Sequence, residues 1–121
     1  MMKKTIVIGA SAKENRYSNK AVNLLSDYKH EVIAIGNKEG KIRDVNIILE
    51  KALIKDVDTV TLYLSEKYQT EYYDYILNQI HPKRIIMNPG TENDELKRLA
   101  EEKGIEVVEF CTLVMLNTGR F

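Results

Sequence analysis

Runs of apolar residues alternate with stretches of helical periodicity along the whole chain. The first run, residues 5–9, is rich in β-branched side chains and ends at a glycine. Apolar residues in succession are typical of a strand buried on both faces, as in a parallel sheet. Such runs, or a high content of valine, threonine and tyrosine, predict five major strands: residues 5–9, 31–36, 57–64, 83–87 and 105–110.

Segments of helical periodicity lie between these strands. Ser18 is a candidate N-cap for the first helix, and tyrosines and isoleucines recur at helical spacing over residues 66–80 until His81-Pro82 stops the pattern. Residues 91–94 resemble a helix cap, and residues 112–117 are predicted to form a short terminal helix. Residues 42–49 are mixed and suggest a short strand. This alternation predicts an α/β fold of three layers, a doubly wound parallel sheet of about five strands with helices on both faces.

The composition narrows the class of protein. A length of 121 residues fits a single domain spanning residues 1–121. Eighteen basic and eighteen acidic residues cancel, which argues against a nucleic-acid or membrane partner held by broad charge attraction. Cys111 is the only cysteine, so no intrachain disulfide forms. The chain has no signal-peptide pattern and no apolar run long enough to span a bilayer, and we expect a cytoplasmic protein.

The loop after the first strand carries the features of an anion site. Ser11, Lys13 and Arg16 lie between a strand-ending glycine and a helix start, where backbone N–H groups and a helix N-terminus attract phosphates. Of the dinucleotide fingerprint Gly-x-Gly-x-x-Gly only Gly9 is present. Lys38 follows the second strand, where enzymes that bind NAD carry a carboxylate, and a cation there suits a phosphorylated ribose.

Candidate catalytic residues are few. The sequence contains no P-loop, no His-Glu-x-x-His and no nucleophile elbow. His30 and His81 fall at the ends of predicted elements, and Cys111 has no histidine placed in sequence to activate it. We therefore assign no catalytic residue and no metal ligand.

Four segments together resemble the stand-alone CoA-binding domain proteins, which are similar to the nucleotide-binding domain of the succinyl-CoA synthetase α subunit. The segments are residues 7–11, 16–18, 37–38 and 88–93. The resemblance covers nearly the whole chain. It implies a Rossmann-like fold that holds the ADP part of coenzyme A at the carboxyl ends of the strands, without catalytic machinery of its own. Many relatives carry Asn-Pro-Lys after the second strand, whereas Asn37 is followed directly by Lys38 here.

The resemblance also implies roles for individual residues. The pyrophosphate would meet Gly9, Ala10 and Ser11, with Arg16 and Ser18 beside it, and Lys38 would face the phosphorylated ribose. The loop that begins at Asn88 would complete the site, since Gly90 allows a close approach. The implied cofactor-binding set is Gly9, Ala10, Ser11, Arg16, Ser18, Lys38, Asn88 and Gly90.

Two other functions fit parts of the same sequence. Lys38 would also suit the 2′-phosphate of NADP, which would indicate a small oxidoreductase-like protein, although a chain of this size offers little room for a substrate site. A scaffold or regulatory subunit could instead dock a partner protein, or a second copy of itself, through residues 66–80 or 113–116. The sequence leaves open whether free CoA or an acyl-CoA is the ligand.

Overall fold

A seven-stranded sheet forms the centre of the computed structural model, which describes residues 2–121. The strands are β1 (Thr5–Ile8), β2 (Val32–Ile35), β3 (Lys41–Ile42), β4 (Val45–Ile48), β5 (Thr59–Leu62), β6 (Arg84–Met87) and β7 (Glu106–Glu109). Their order is β3-β4-β2-β1-β5-β6-β7, and every neighbouring pair is parallel except β3 with β4. The fold is Rossmann-like, as expected.

The expectation of about five strands was wrong, because residues 41–48 form a hairpin that adds two strands to one edge of the sheet. β2 therefore connects to its parallel neighbour β4 without a helix between them. The physical reason is length: too few residues separate β2 from β4 for a helical crossover, and the two-residue β3 fills the connection. Burial of Ile42 and Ile47 holds this hairpin against the sheet.

Helices cover both faces of the sheet. They are α1 (Tyr17–Asp27), α2 (Asp94–Glu102) and α3 (Thr112–Asn117), the last with the predicted bounds. On one face Val22 and Leu25 of α1 and Leu116 of α3 pack against Val7 and Ala34 of the sheet. The opposite face is covered by α2 and by residues 66–80, whose apolar side chains share one core with β1, β5 and β6. This arrangement is the predicted three-layer one.

Ser18 does not cap α1. The N-cap lies two residues earlier, at Arg16, the helix begins at Tyr17, and no side chain within residues 2–121 caps it. Ser18 lies in the first turn and is buried. α2, in contrast, begins as the sequence indicates, since the Asn93 side chain accepts a 3.1 Å hydrogen bond from the Leu96 N–H.

Residues 66–80 are not the continuous helix that their periodicity predicts. They form two single 3₁₀ turns, Glu66–Tyr68 and Thr70–Tyr72, and then a π-helix, Tyr75–Ile80. Aromatic and threonine residues have weak helix propensity, and side-chain hydrogen bonds from Gln69 to Leu64 and Thr91 hold the first half of the segment in turns. Tertiary contacts have overridden a local pattern here.

Because β1, β2, β5, β6 and β7 run in the same direction, their carboxyl ends meet at one edge of the sheet, where α/β folds bind ligands. All the predicted site residues follow these ends. Within residues 2–121, no helix combines the length and the apolar character needed to cross a membrane.

Candidate functional site

Three neighbouring cavities lie along the carboxyl edge of the sheet. The first, of about 420 Å³, opens above the ends of β1 and β2; the second, of about 240 Å³, lies between the N-terminus of α1 and the loop after β6; the third, of about 260 Å³, lies beside Cys111. Gly9, Ser11 and Arg16 line the first and second, Tyr17 lines the second and third, and Tyr63 lines all three. The cavities thus follow one another in an elongated cleft.

Positive charge is concentrated in the first cavity. Lys13, Arg16 and Lys38 line it, and across residues 2–121 none of the three takes part in an ion pair. The single acidic residue of its lining, Glu71, lies 3.8 Å from the Lys51 ammonium. Unpaired cations gathered in a concave site attract a polyanion.

The turn between β1 and α1 presents the helix N-terminus to this cleft. The Lys13 N–H donates to Ser11 Oγ at 3.1 Å, and Asn19 Nδ2 donates to the Ser11 carbonyl at 3.0 Å, so the loop is tied back onto the helix. The first turn of α1 contains no acidic residue and has no side-chain cap. The positive end of its dipole is therefore left for a ligand.

Gly9 and Ala10 shape the cleft, but their N–H groups are hydrogen-bonded within the protein. Both N–H groups donate to the Ile35 carbonyl at 2.9 Å. Gly9 has φ +94, and a Cβ built on it would lie 2.9 Å from the Tyr63 carbonyl carbon and oxygen. The glycine is thus required for the ends of β1 and β5 to pack, and the backbone donors that remain belong to Ser11 and to the first turn of α1.

A second glycine, Gly36, sets the position of Lys38. A Cβ on Gly36 would lie 2.4 Å from the Ala10 carbonyl oxygen, so only glycine lets the chain leave β2 so close to the β1 turn. Asn37 and Lys38 follow directly and line the first cavity. The sequence signal for this feature was present, since a second buried strand ends at a glycine.

The loop after β6 contributes in two ways. Asn88 lines the third cavity, but its side chain is fully engaged: Nδ2 donates to Thr61 Oγ1 and the Leu62 carbonyl, and Oδ1 accepts from the Thr112 N–H. Gly90 has φ +93 and no atom within 4 Å of a Cβ placed on it. Gly90 therefore faces open space in the second cavity, where a ligand could approach its backbone.

Tyrosines form the walls of the cleft. The Tyr63 hydroxyl is buried with no hydrogen-bond partner, while the nearby Thr61 and Thr112 hydroxyls bond each other at 2.8 Å. Burial raises the pKa of Tyr63, against a smaller lowering by those two hydroxyls, and burial followed by the Glu71 charge raises the pKa of Tyr72. Both phenols are neutral at pH 7 and place no negative charge beside an anionic ligand.

The structure brings the predicted residues to one cleft. Gly9, Ala10, Ser11, Arg16 and Lys38 line the first cavity, Ser18 and Gly90 the second, and Asn88 the third. The sequence pattern gives Tyr68 and Tyr72 only as part of a helical repeat and Tyr63 only as part of a strand, so none of these three tyrosines of the wall was predicted as a site residue. Tyr63 could have been found, because it directly follows β5 at the ligand edge of the sheet.

Another cavity and a metal centre are the alternatives to this cleft. A larger cavity of about 670 Å³ lies between α1 and the β3 edge, but it contains none of the predicted residues, and Arg43 and Asp27 in its lining neutralise each other in an ion pair. Across residues 2–121 there is no group of three or more histidine, cysteine or acidic side chains that could hold a metal ion.

The sequence matches the family described as "CoA binding domain" over residues 3–117. No curated protein matches it. Among solved structures, an uncharacterized protein is 48% identical, with a TM-score of 0.97, and the alignment covers 100% of this chain and 99% of that one.

Two more distant structures share the fold. A conserved hypothetical protein from Pyrococcus furiosus is 24% identical with a TM-score of 0.80, over 93% of this chain and 98% of that one. Aspartate dehydrogenase from Thermotoga maritima is 19% identical with a TM-score of 0.64, over 91% of this chain and 46% of that one. At these identities the likeness shows the fold alone.

Proposed function

The chain belongs to the CoA-binding domain family, and from that premise we propose that it is a non-catalytic module that binds coenzyme A, or an acyl-CoA, through the 3′-phospho-ADP part of the ligand. The cleft at the carboxyl edge of the sheet is the proposed site. Coenzyme A is elongated and carries phosphates at two separate places. The cleft is also elongated, and positive side chains line it.

One observation supports the proposal above all: three cations that have no ion-pair partner within residues 2–121 line the same cavity as an uncapped helix N-terminus. Because no carboxylate of the described residues pairs with Lys13, Arg16 or Lys38, their mutual repulsion is relieved when an anion binds. A ligand with a diphosphate and a separate ribose phosphate supplies negative charge at both ends of the cavity. Charge-assisted hydrogen bonds to such groups are among the stronger polar contacts.

We assign the contacts as follows. Lys38 faces the 3′-phosphate of the ribose, and Ser11, Arg16 and the first turn of α1, with Ser18, hold the diphosphate. Gly90 lets the ligand pass close to the loop after β6. Gly9, Ala10 and Asn88 shape the site, since the N–H groups of Gly9 and Ala10 and the side-chain amide of Asn88 are hydrogen-bonded within the protein.

The adenine fits the tyrosine side of the first cavity. Leu64, Tyr68 and Tyr72 line this cavity together with residues of the β1–α1 turn. Stacking of a base on an aromatic ring contributes about 1–3 kcal/mol. These side chains therefore provide an apolar wall beside the phosphate contacts.

The remaining arm of the ligand would extend through the second and third cavities. The lining of the third cavity includes Tyr17, Pro89 and Leu113, and it also includes Cys111. An apolar end wall suits a thioester or a small acyl group at least as well as a free thiol. We assign no chemistry to this end and propose that the protein holds the ligand without transforming it.

Calorimetric titration with CoA, dephospho-CoA, NADP and NAD tests the proposal in one series. We expect CoA to bind about ten- to a hundredfold more tightly than dephospho-CoA, because a charge-assisted contact of about 1.5–3 kcal/mol is lost with the 3′-phosphate. Lys38→Glu should remove this preference, while Lys41→Glu, a lysine outside the cleft, should keep it. Equal affinity of the wild type for the two ligands would refute the role of Lys38, and tight NADP binding would favour an oxidoreductase-like protein instead.

A further inference from the structure

Gln69 occupies an unusual place in the wall of the cleft. The segment of residues 65–74, which we call the rim, contains three residues that line the first cavity, and Gln69 is its one buried residue, with 0% of its surface exposed. Its neighbours Tyr68, Glu71 and Tyr72 line the cavity. Apolar burial therefore does little to fix the rim in place, because most of its side chains are exposed or only half-buried.

The Gln69 amide is completely hydrogen-bonded. Nε2 donates to the Leu64 carbonyl and to the Thr91 carbonyl, both at 2.8 Å, and Oε1 accepts from Asn93 Nδ2 at 3.0 Å. Leu64 follows β5, whereas Thr91 and Asn93 belong to the loop after β6. One side chain thus joins the rim to the two loops that flank the cleft.

Asn93 extends the same network. Its Nδ2 also donates to the Tyr73 hydroxyl at 2.8 Å, and its Oδ1 caps α2 through the Leu96 N–H. Tyr73 in turn donates to Glu95 at 3.0 Å. A buried network in which each member is hydrogen-bonded is rigid, and losing one member leaves several buried groups unpaired.

We propose that Gln69 is a positioning residue for ligand binding: it locks residues 65–74 and the loop after β6 into one wall, so that the tyrosines at the base end of the cleft and Gly90 at its middle are held in register. The inference rests on the proposed function for its ligand, but the coupling of the two loops is a property of the unliganded protein. Gln69 itself is not among the residues that line the three cavities.

The structural half of the test needs no ligand. Gln69→Met keeps the side-chain length and removes all three hydrogen bonds. We expect faster amide hydrogen exchange in residues 66–73 and also in residues 89–93, since both loops lose their common anchor. Gln79→Met, an exposed glutamine of the same segment that bonds only to Asp74, is the matched control and should leave both regions unchanged. Faster exchange confined to residues 66–73 would show that the loops are independent.

Asn93→Ser tests the second anchor. Serine still caps α2 but is too short to reach both Gln69 and Tyr73. The same two regions should again exchange faster. Unchanged exchange in residues 66–73 would mean that the Asn93 contact does not hold the rim.

A double-mutant cycle on CoA affinity tests the functional half. We expect Gln69→Met and Tyr72→Ala each to weaken CoA binding about tenfold, and the double variant to bind only slightly more weakly than either, because a displaced rim no longer positions Tyr72. Additive losses, about a hundredfold together, would overturn the positioning role. If the wild type does not bind CoA, the proposed function fails, and the exchange experiment alone decides whether Gln69 joins the two loops.

Discussion

The Asn88 side-chain oxygen accepts a hydrogen bond of 2.8 Å from the Thr112 N–H, which joins the end of β6 to the first turn of α3. The same amide donates to Thr61 Oγ1 at 2.7 Å and to the Leu62 carbonyl at 2.8 Å. Asn88 thus connects β5, β6 and α3 just beneath the cleft. Its position in the sequence predicts a ligand contact, and its hydrogen bonds show in addition that its side chain supports the loop that lines the cleft.

We therefore expect Asn88→Ala to lower the free energy of unfolding by about 2–4 kcal/mol, since it removes the side-chain partner of the buried Leu62 carbonyl and of the Thr112 N–H, at about 1–3 kcal/mol for a buried unpaired group. The Thr61 hydroxyl keeps its bond to the Thr112 hydroxyl. Urea unfolding measures the change, and Asn15→Ala, an exposed loop substitution, is the control. A variant as stable as the wild type would show that water replaces these bonds at little cost.

Gly9 and Gly90 should respond differently to alanine although both have positive φ. Backbone strain of about 1–3 kcal/mol applies to both. At Gly9 the new Cβ also lies 2.9 Å from the Tyr63 backbone, whereas at Gly90 it meets nothing within 4 Å. We expect Gly9→Ala to be the less stable variant by about 1–3 kcal/mol, the usual range for overpacking.

CoA affinity of the two variants, measured well below their unfolding temperatures, separates structure from binding. In Gly90→Ala the loss of CoA binding free energy should exceed the loss of unfolding free energy, because the added methyl group enters the space assigned to the ligand. Equal stability of Gly9→Ala and Gly90→Ala would contradict the packing role of Gly9.

Stability should decrease at mildly acidic pH because of His30. Its Nδ1 accepts a 2.9 Å hydrogen bond from the Lys3 N–H, and its ring packs 4.9 Å from the ring of Phe121. Burial, and then the charges of Lys3 and Arg84, lower the pKa of His30 below 6.5, while Asp58 opposes them. The folded state therefore favours the neutral ring more than the unfolded state does.

The stability that this group contributes is present above pH 6.5 and is lost as the pH falls through the lowered pKa of the folded state. The urea midpoint of the wild type should fall more between pH 7.5 and pH 5.5 than that of His30→Gln, which does not titrate. Parallel pH profiles of the two proteins would exclude His30 as the cause.

Cys111→Ser should leave CoA affinity within a few-fold of the wild type. Cys111 lines the apolar third cavity, away from the charged groups to which we assign the phosphates. Titration of both proteins with CoA under reducing conditions gives the comparison. Mass spectrometry of the wild type without reductant provides the second measurement: a CoA adduct that reductant removes and that the variant lacks would give Cys111 a chemical role after all.

The sequence alone determined the elements whose signals are local. Consecutive apolar residues predicted β1, β2 and β6, because a strand in the middle of a parallel sheet has apolar neighbours on both faces and needs no polar positions. The strand-ending Gly9 and Gly36 and the cations Lys13, Arg16 and Lys38 indicated an anion site, since the carboxyl ends of parallel strands meet at one edge of the sheet. The exact bounds of α3 were also predictable from the sequence.

Only the tertiary structure decided the rest. The β3–β4 hairpin depends on pairing with β2, and residues 66–80 depend on the bond from Gln69 to Thr91, 22 residues away. No local pattern records contacts at such a distance along the chain. The tertiary structure also decided the role of Asn88, whose amide is hydrogen-bonded to three partners in β5 and α3. It likewise decided the role of Gly9, where the absence of a Cβ makes room for the Tyr63 backbone. A residue type restricts what a side chain can do, but the neighbours that the fold brings to it determine which hydrogen bonds and contacts it makes.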